Sequence, residues 1–362
     1  MTTTEKLKLL QNVGEEIINE KELINLLESG ENIIAYDGFE PSGQMHIAQG
    51  ILRTININKL IKAGIKFKML VADWHAFANK KMGGDLEKIK TVGKYFIEIW
   101  KASGLDMENV EFIWASDLVK DPNYWKLVLQ IASTNSIKRF LRTAEIMGRE
   151  ESLDLSAAQI IYSCMQTADI FTLGAKITQL GMDQRKVNVL AREIGPLLGY
   201  WKPVIISHHM ILGLGKPSQS QDKVKKVMEL KMSKSNPNFA IFMTDSEQEV
   251  NNKILKAWCP VGETTLNPVL EYYKYFVFES FDRLRIEKVI INRLEKFGGK
   301  IELSSYEELE KQFLSNKIHP EDLKNSLSIY LNKLLEPIRS HFEKNPYAKS
   351  LLDQVKSFKI TK

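Results

Sequence analysis

YDGFEPSGQMHIAQG, at residues 36–50, joins the end of a predicted strand to the start of a predicted helix. The apolar run Asn32–Tyr36 precedes a turn that contains glycine and proline, and a helical pattern runs from His46 to Lys62. Small residues in such a turn let a phosphate chain approach backbone N–H groups at the positive end of a helix, and a histidine there can donate to a phosphate oxygen. A plain strand–turn–helix junction with a surface histidine shows the same pattern and is more common, so this stretch needs support from other segments.

The sequence around this stretch predicts an α/β fold. Short apolar runs alternate with amphipathic helical patterns, and one such helix, Asp85–Ser103, follows a glycine pair and ends before Gly104. This alternation predicts right-handed crossovers and a Rossmann-like parallel sheet, in which ligands bind beyond the carboxyl ends of the strands. Besides residues 32–36, the predicted strands are Phe67–Ala72, Val110–Ala115 and Pro203–Ser207.

Two regions interrupt or follow the sheet. Residues 118–174 carry helical patterns with little strand signal, which predicts a helical insertion between two halves of the nucleotide fold. Residues 246–362 are mostly helical and are predicted to form a second domain, after a first domain at residues 1–245. Within this second domain, Ser304 with Glu307 and Ser305 with Glu308 both fit a capping box, which predicts a helix start there, and Pro320 suits the first turn of another helix.

The composition is that of an ordinary globular protein. The apolar fraction is 44% and the charged fraction 26%, and the net charge of +5 permits a nucleic-acid partner without requiring one. Cys164 and Cys259 lie in apolar stretches outside any CxxC pair, so we expect reduced thiols and neither a disulfide framework nor a zinc site. The chain has no signal-like N-terminus and no apolar run of membrane-spanning length, so we expect a cytoplasmic protein without a membrane partner.

A second segment, KMSKS at residues 231–235, lies in a polar loop predicted at about residues 213–238. Lys231 and Lys234 place two ammonium groups on a segment that we expect to move, which suits a clamp on the charge of a leaving pyrophosphate. A solvated basic turn has the same composition. The position of the segment, beyond another half of the sheet from the His46 turn, favours the clamp.

A third segment places polar side chains on an otherwise apolar helix. Tyr162, Gln166 and Asp169 stand at positions i, i+4 and i+7, so they share one helix face. An unpaired buried carboxylate is very costly, so Asp169 needs a partner, which either the fold or a ligand supplies. Further along the chain, Asp183 and Gln184 follow a short strand pattern and lie where a substrate is expected.

Together and in this order, the segments resemble the class I aminoacyl-tRNA synthetases, specifically the tyrosyl-tRNA synthetases of archaea and the eukaryotic cytosol. The resemblance covers nearly the whole chain and includes ADWHA at residues 72–76, KFGG at 296–299 and HPEDLKN at 319–325. The first signature of the family is His-x-Gly-His, and its third and fourth positions are here Ala48 and Gln49. Gln49 can still donate a hydrogen bond from the place of the second histidine.

The resemblance implies a pocket for L-tyrosine beside ATP. Tyr36 and Asp169 would hold the phenol hydroxyl from two sides, and Asp183 would accept from the ATP ribose. The α-ammonium group would be held by Tyr162, Gln166 and Gln184. The implied catalytic residues are His46, Gln49, Lys231 and Lys234, and the other implied ATP-site residues are Gly38, Glu40, Gly43, Met232 and Ser233.

The resemblance also implies the reaction and its partners. The tyrosine carboxylate would attack the α-phosphorus of ATP, and tRNA(Tyr) would then take the tyrosine from the adenylate. Mg²⁺ would arrive with ATP, because no carboxylate cage for a metal is evident. The family is homodimeric through the helical insertion, and its helical second domain binds the anticodon. The implied tRNA contacts are Arg142, Arg185 and Lys186 at the acceptor end, and Phe297, His319 and Asp322 at the anticodon.

Two rival interpretations stay open. A tryptophanyl-tRNA synthetase shares the architecture, although the Tyr36–Asp169 pair and the Pro41-Ser42-Gly43 turn argue against it. A synthetase-derived RNA-binding protein without aminoacylation activity is left open by Ala48 and Gln49, whereas the intact KMSKS segment and the complete pocket argue against it.

Overall fold

The computed structural model describes residues 1–144, 155–217, 231–234 and 236–358. Its central layer is a six-stranded sheet in which one edge strand is antiparallel and the other neighbours are parallel. The predicted Rossmann-like α/β fold is therefore confirmed. The strands are β1 (Glu16–Ile18), β2 (Ile34–Phe39), β3 (Lys66–Val71), β4 (Val110–Trp114), β5 (Ile177–Gly181) and β6 (Val204–His208), and they lie in the order β1–β6–β5–β2–β3–β4.

The strand that precedes the His46 turn differs from its prediction. β2 begins two residues later than Asn32 and continues past Tyr36, because its pairing with β3 extends to Phe39 opposite Val71. Asp37 and Gly38, which the sequence analysis assigned to the turn, therefore belong to the strand. The sequence analysis also did not predict β1, whose three residues pair with β6.

Helices connect the strands in the first part of the chain. Helix α5 begins at the predicted place because Asp85 accepts hydrogen bonds from the backbone N–H groups of Glu87 and Lys88. The helical pattern predicted from His46 is a π-helical turn, Ala48–Leu52, that leads directly into α3. The helices are α1 (Thr3–Gln11), α2 (Glu20–Glu28), α3 (Arg53–Lys62), α4 (Asp73–Ala78), α5 (Leu86–Ala102), α6 (Ala115–Leu118), α7 (Pro122–Ser133), α8 (Ile137–Ala144), α9 (Ala157–Thr172) and α10 (Arg185–Ile194).

The C-terminal part is mostly helical, as predicted, and also contains a small antiparallel sheet that was not predicted. Ser305 accepts from the backbone N–H of Glu308 and caps a helix start, and Pro320 occupies a first turn behind the cap residue His319. The helices are α11 (Glu247–Leu255), α12 (Pro268–Tyr272), α13 (Phe281–Leu284), α14 (Tyr306–Leu314), α15 (Pro320–Lys344) and α16 (Pro346–Ser357); the strands are β7 (Val289–Ile291) and β8 (Ile301–Leu303).

Two hydrophobic clusters stabilise these layers. The larger one contains side chains from both predicted domains, among them Trp100, Met243 and Leu331, so the apolar core continues across residue 245. The smaller one packs α7 and α8 against α9, within the predicted insertion, through Tyr124, Phe140 and other residues. Burial of this kind is the main favourable contribution to folding. The division at residues 245 and 246 stays a prediction.

The chain order reverses between β2 and β5. These strands pair only at Ala35 and Tyr36, opposite Ile177 and Thr178, whereas β2 continues along β3 and β5 continues along β6. Beyond Tyr36 the two strands no longer pair. In parallel α/β sheets such a switch point opens the crevice in which ligands bind.

Of the described helices, none combines the length and the apolar composition needed to span a bilayer. Cys164 and Cys259 are both buried free thiols, as expected.

Candidate active site

The polar face of α9 meets the end of β2 at the switch point. Tyr36 and Asp169 are both about 1% exposed, and burial together with the charge of Asp169 raises the pKa of the Tyr36 hydroxyl well above its usual value. Among the described residues, the Tyr36 hydroxyl makes no hydrogen bond of ordinary geometry, although the Gln166 amide lies close enough to lower its pKa slightly against these effects. A buried polar group without a partner is rare and costly, so this hydroxyl indicates a ligand group that supplies the missing bond.

The fold supplies partners for the Asp169 carboxylate that the sequence analysis missed. The Tyr124 hydroxyl donates to Asp169 Oδ1 at 2.8 Å, and His75 Nε2 lies 2.8 Å from Asp169 Oδ2. Burial lowers the pKa of His75, but the charge and hydrogen bond of Asp169, with the charges of Glu40 and Asp73, together outweigh it, and the pKa lies above its usual value. His75 follows closely after the carboxyl end of a strand, which is a detectable signal; Tyr124 lies 45 residues before Asp169 and carries no such signal.

The other two predicted residues of the α9 face contact the segments that follow β5 and β3. Gln166 Nε2 donates to Gln184 Oε1 at 3.0 Å, so the two amides predicted to hold an ammonium group are in contact. The Tyr162 ring packs edge-on against His75 with 5.3 Å between ring centroids. Burial, followed by the charge of Glu40, raises the pKa of the Tyr162 hydroxyl well above its usual value. Glu40 follows β2, so its interaction with Tyr162 connects the α9 face to the turn after that strand.

The KMSKS segment closes over the same turn. Lys231 Nζ donates to Asp183 Oδ2 at 3.2 Å, and Lys234 Nζ donates to Ser42 Oγ at 3.1 Å. Met232 is buried, and Gly43 has a φ of 105°, a backbone conformation that favours glycine. Both lysines of the predicted clamp therefore contact residues of the predicted nucleotide site. Ser235 and residues 218–230 of the predicted loop lie outside the described residues.

His46 lies in the middle of this cationic group. It is 8% exposed, and its Nδ1 atom has no hydrogen-bond partner within the described part of the chain. Burial, with the nearby charges of Lys234, Arg53 and Lys231, holds its pKa well below the usual value, so the ring is neutral. Burial and the charge of Lys81 also lower the pKa of Lys234 to about 7. Positive charges that lie this close together repel one another, and a bound anion relieves the repulsion. The cluster is therefore suited to bind an anion.

Gln49, which replaces the second signature histidine, is partly buried beside His46. Its Oε1 atom is buried and has no partner in the described ranges, and its backbone carbonyl accepts from Trp100 Nε1 at 3.0 Å. The following residue must be glycine, because a Cβ atom on Gly50 would lie 2.3 Å from Met243 Sδ. The turn is therefore packed tightly against the segment that follows KMSKS.

A buried polar chain below the crevice was missed by the sequence analysis. Arg53 Nη1 lies 3.3 Å from Asp37 Oδ2 and also contacts the ring of His208, whose Nδ1 atom lies 2.7 Å from Gln179 Nε2. Burial raises the pKa of Asp37 to about 7, although the Arg53 charge opposes this. Arg53 begins α3, and its partners Asp37 and His208 lie on two strands, so spacing within its own helix could not have revealed these contacts.

The residues implied to contact RNA lie at the surface. Arg142 and Lys186 are exposed, and the exposed Arg185 forms a two-bond ion pair with Glu16, at 2.6 and 3.0 Å. Phe297 is 59% exposed, so it is not an ordinary core residue. The exposed His319 accepts from the backbone N–H of Glu321 at 3.2 Å, and Asp322 lies in the same helical turn, partly buried.

Comparison with known proteins assigns this site to a family. Residues 28–336 match the family model described as tRNA synthetases class I (W and Y). Over 358 residues, which are 98% of this chain and 89% of the relative, the chain is 50% identical to "Tyrosine--tRNA ligase 1, cytoplasmic" of Arabidopsis thaliana. The chain belongs to the tyrosyl-tRNA synthetases.

Solved tyrosyl-tRNA synthetases have the same fold along the whole chain. The crystal structure of the Pyrococcus horikoshii tyrosyl-tRNA synthetase complexed with L-tyrosine matches with a TM-score of 0.90 and 37% identity, covering 98% of this chain and 100% of that one. The tryptophanyl-tRNA synthetase of Aeropyrum pernix matches with a TM-score of 0.68 and 19% identity, covering 98% of this chain and 93% of that one, which shows a shared fold alone. The tryptophanyl alternative is therefore not favoured.

Proposed function

We propose that the switch-point crevice binds L-tyrosine and ATP side by side and that the chain joins tyrosine to tRNA(Tyr) in two steps. The observation that carries this proposal is the buried Tyr36 hydroxyl, which makes no hydrogen bond of ordinary geometry among the described residues and lies near the buried Asp169 carboxylate. A substrate phenol supplies what this end of the crevice lacks. A substrate without the hydroxyl gives the buried Tyr36 hydroxyl no partner and offers Asp169 no further donor, which is a basis for rejection.

The first step needs positioning and charge stabilisation, and no protein nucleophile. An oxygen of the tyrosine carboxylate attacks the α-phosphorus of ATP, the bond to the β-phosphate breaks, and pyrophosphate leaves with the electron pair. Gln166, Gln184 and Tyr162 hold the α-ammonium group, so that the carboxylate faces the phosphate. Ordering both reactants in this way contributes a large share of the rate.

The cations around His46 stabilise the leaving pyrophosphate. The neutral His46 ring and the Gln49 amide donate hydrogen bonds to phosphate oxygens, and Lys231 and Lys234 supply positive charge. The pKa of Lys234, about 7 without ligand, rises when the triphosphate binds, because a neighbouring anion favours the ammonium form. Gly38, Glu40, Gly43, Met232 and Ser233 line the nucleotide.

Nucleotide binding also rearranges one contact. Asp183 now accepts from Lys231, and in the complex it accepts from the ATP ribose while Lys231 turns to the phosphates. Within the described residues, no three or more histidine, cysteine, aspartate or glutamate side chains are grouped to hold a metal ion. Mg²⁺ would arrive with ATP and neutralise part of the phosphate charge.

The second step needs the RNA partner. Arg142, Arg185 and Lys186 contact the acceptor end, and Phe297, His319 and Asp322 contact the anticodon, where an exposed ring and a carboxylate can stack on and bond to splayed bases. Trp125, Leu129 and Ile137 of the insertion are exposed apolar side chains, which supports a homodimer through this surface. The name of the Arabidopsis relative supports a cytoplasmic location.

Pyrophosphate exchange with tyrosine, tryptophan and phenylalanine in parallel tests this function. We expect exchange with tyrosine alone. Exchange with tryptophan alone would support the tryptophanyl alternative, and no exchange with any of the three would support a non-catalytic RNA-binding protein.

A further inference from the structure

We propose that Glu271 and Tyr272, on the C-terminal helix α12, are positioning residues that hold Lys231 in place for adenylate formation. This inference rests on the proposed function, because it assigns these two residues to the same reaction. Neither residue lies in the described nucleotide crevice, and neither is expected to touch a substrate. They act through the backbone of Leu212, which lies between α12 and the KMSKS segment.

The KMSKS segment is paired with the chain that follows β6. Leu212 and Lys231 form an antiparallel bridge, and the backbone N–H of Met232 donates to the carbonyl of Ile211 at 2.7 Å. Along a strand, successive residues present their backbone groups to opposite edges. Ile211 bonds to Met232, so Leu212 and Lys231 form a non-hydrogen-bonded pair, and the N–H and the carbonyl of Leu212 face the other edge.

Side chains of α12 occupy that other edge. The backbone N–H of Leu212 donates to Glu271 Oε2 at 3.0 Å, and the Tyr272 hydroxyl donates to the Leu212 carbonyl at 3.1 Å. Leu212 is 2% exposed and Tyr272 is fully buried, so water does not replace these bonds if they are lost. The Glu271 and Tyr272 side chains therefore bond to the free backbone edge of Leu212, as a neighbouring strand would, while its other edge pairs with Lys231.

A histidine fixes the Glu271 carboxylate in turn. Its second oxygen lies 3.1 Å from His209 Nε2, and His209 Nδ1 lies 3.1 Å from Glu15 Oε2. Carboxylates at both ring nitrogens favour the doubly protonated imidazolium, which also stacks on Tyr275 with 4.8 Å between ring centroids. Glu271 thus cannot turn away from Leu212 without leaving a buried cation short of a partner.

The placement of Lys231 decides whether it can stabilise the leaving pyrophosphate. Its ammonium group lies 3.2 Å from Asp183, and it must move to the phosphates without losing its backbone register. An error of about 1 Å in such a group costs on the order of a hundredfold in rate. Weakening the support for the Leu212–Lys231 pairing should therefore lower kcat for adenylate formation. Tyrosine binding should stay unchanged, since the tyrosine pocket lies on other elements.

The chain contains a matched control in the next residue. Tyr272 and Tyr273 are both fully buried, and each donates its hydroxyl to one backbone carbonyl. The Tyr272 hydroxyl reaches Leu212 on the KMSKS side, whereas the Tyr273 hydroxyl reaches Leu323 on α15, at 2.9 Å. Tyr272→Phe and Tyr273→Phe therefore remove the same kind of bond, one toward the KMSKS segment and the other toward α15.

The test is tyrosine-dependent pyrophosphate exchange without tRNA, measured on the full chain with thermal unfolding as a check on folding. We expect both variants to lose a similar amount of thermal stability. Only Tyr272→Phe should lower kcat, by about tenfold, with the KM for tyrosine unchanged, while Tyr273→Phe stays within about twofold. Glu271→Gln, which keeps the side-chain shape, should follow Tyr272→Phe.

Equal kcat values in the two tyrosine variants, or a loss in KM for tyrosine as large as the loss in kcat, would overturn the inference. Those outcomes leave exchange by the unchanged protein intact. Absence of tyrosine-dependent exchange in the unchanged protein would instead refute the proposed function itself.

Discussion

Asp169 connects the fold to the proposed substrate. It accepts from Tyr124 and lies beside His75, so the protein already stabilises the charge of this carboxylate before any ligand binds. A preformed acceptor of this kind loses little entropy when the ligand arrives, which favours selective binding. The Tyr36 hydroxyl on the other side stays without a partner until the phenol is present.

Asp169→Asn tests this pair. The amide loses the negative charge that favours a hydroxyl donor, so the preference for tyrosine over phenylalanine should fall by about ten- to a hundredfold. The measurement is the ratio of kcat/KM for the two amino acids in pyrophosphate exchange. Asp117→Asn, on an exposed carboxylate of α6, serves as the control. An unchanged ratio in Asp169→Asn would exclude the proposed role.

Lys231→Ala tests the clamp. Removing one group that stabilises charge in the transition state should lower kcat for adenylate formation on the order of a hundredfold, with a much smaller effect on tyrosine binding. Lys216→Ala, an exposed lysine near the start of the same predicted loop, should have no effect. If tyrosine binding and kcat fell equally, Lys231 would not act on the transition state.

Sequence spacing was sufficient to group site residues that share one helix or strand. It was insufficient to identify the residues that they contact on other elements. Tyr162, Gln166 and Asp169 were predicted as one face because helical spacing brings them together. Tyr124 and Arg53 were missed because their contacts come from distant segments, and the spacing along a single helix carries no information about them. The roles given to the site residues rested on the family resemblance, since geometry between elements cannot be read from local patterns.

Elements with strong local signals were predicted close to their true bounds. Capping by Asp85 and Ser305 and the fixed backbone of Pro320 mark helix starts regardless of the rest of the fold. The short strands β1, β7 and β8 were missed because three residues are too few to show a period of two. Their existence depends on the partner strand, which only the folded chain provides.

His209 makes the junction of these elements pH-dependent. Burial lowers its pKa, but Glu15 and Glu271 raise it from 6.5 to about 9. Protonated His209 therefore stabilises the fold fully below about pH 6.5, and this contribution is lost as the pH rises through about 9. We expect a loss on the order of 2 kcal/mol in the free energy of unfolding over this range, relative to His209→Gln, by urea denaturation. A difference between the two proteins that stays constant with pH would contradict this.

Across the whole molecule, the proposed chemistry and the proposed RNA contacts lie on separate parts of the chain. The crevice residues come from the sheet, α9 and KMSKS, whereas Phe297, His319 and Asp322 follow residue 246. The apolar core continues between the two parts, and α12 bonds to the strip beside KMSKS. The protein can therefore lose an RNA contact without losing the first reaction step.

Phe297→Ala tests this separation. Its ring is 59% exposed, so truncation should cost little stability, and loss of base stacking should weaken tRNA charging by about ten- to a hundredfold. Pyrophosphate exchange, which needs no tRNA, should stay unchanged. Tyr347→Ala, on another exposed ring, should leave both activities intact. Loss of exchange in Phe297→Ala would mean that the ring has a structural role.

The ratio of kcat/KM for tyrosine over phenylalanine in pyrophosphate exchange, measured on the unchanged protein, tests the central claim most directly. If the Tyr36–Asp169 pocket recognises the phenol hydroxyl, the ratio should be on the order of 10⁵, which is the general figure for tyrosyl-tRNA synthetases. A ratio of about ten or less would contradict the claim, because phenylalanine would give the buried Tyr36 hydroxyl no hydrogen bond and Asp169 no phenol donor.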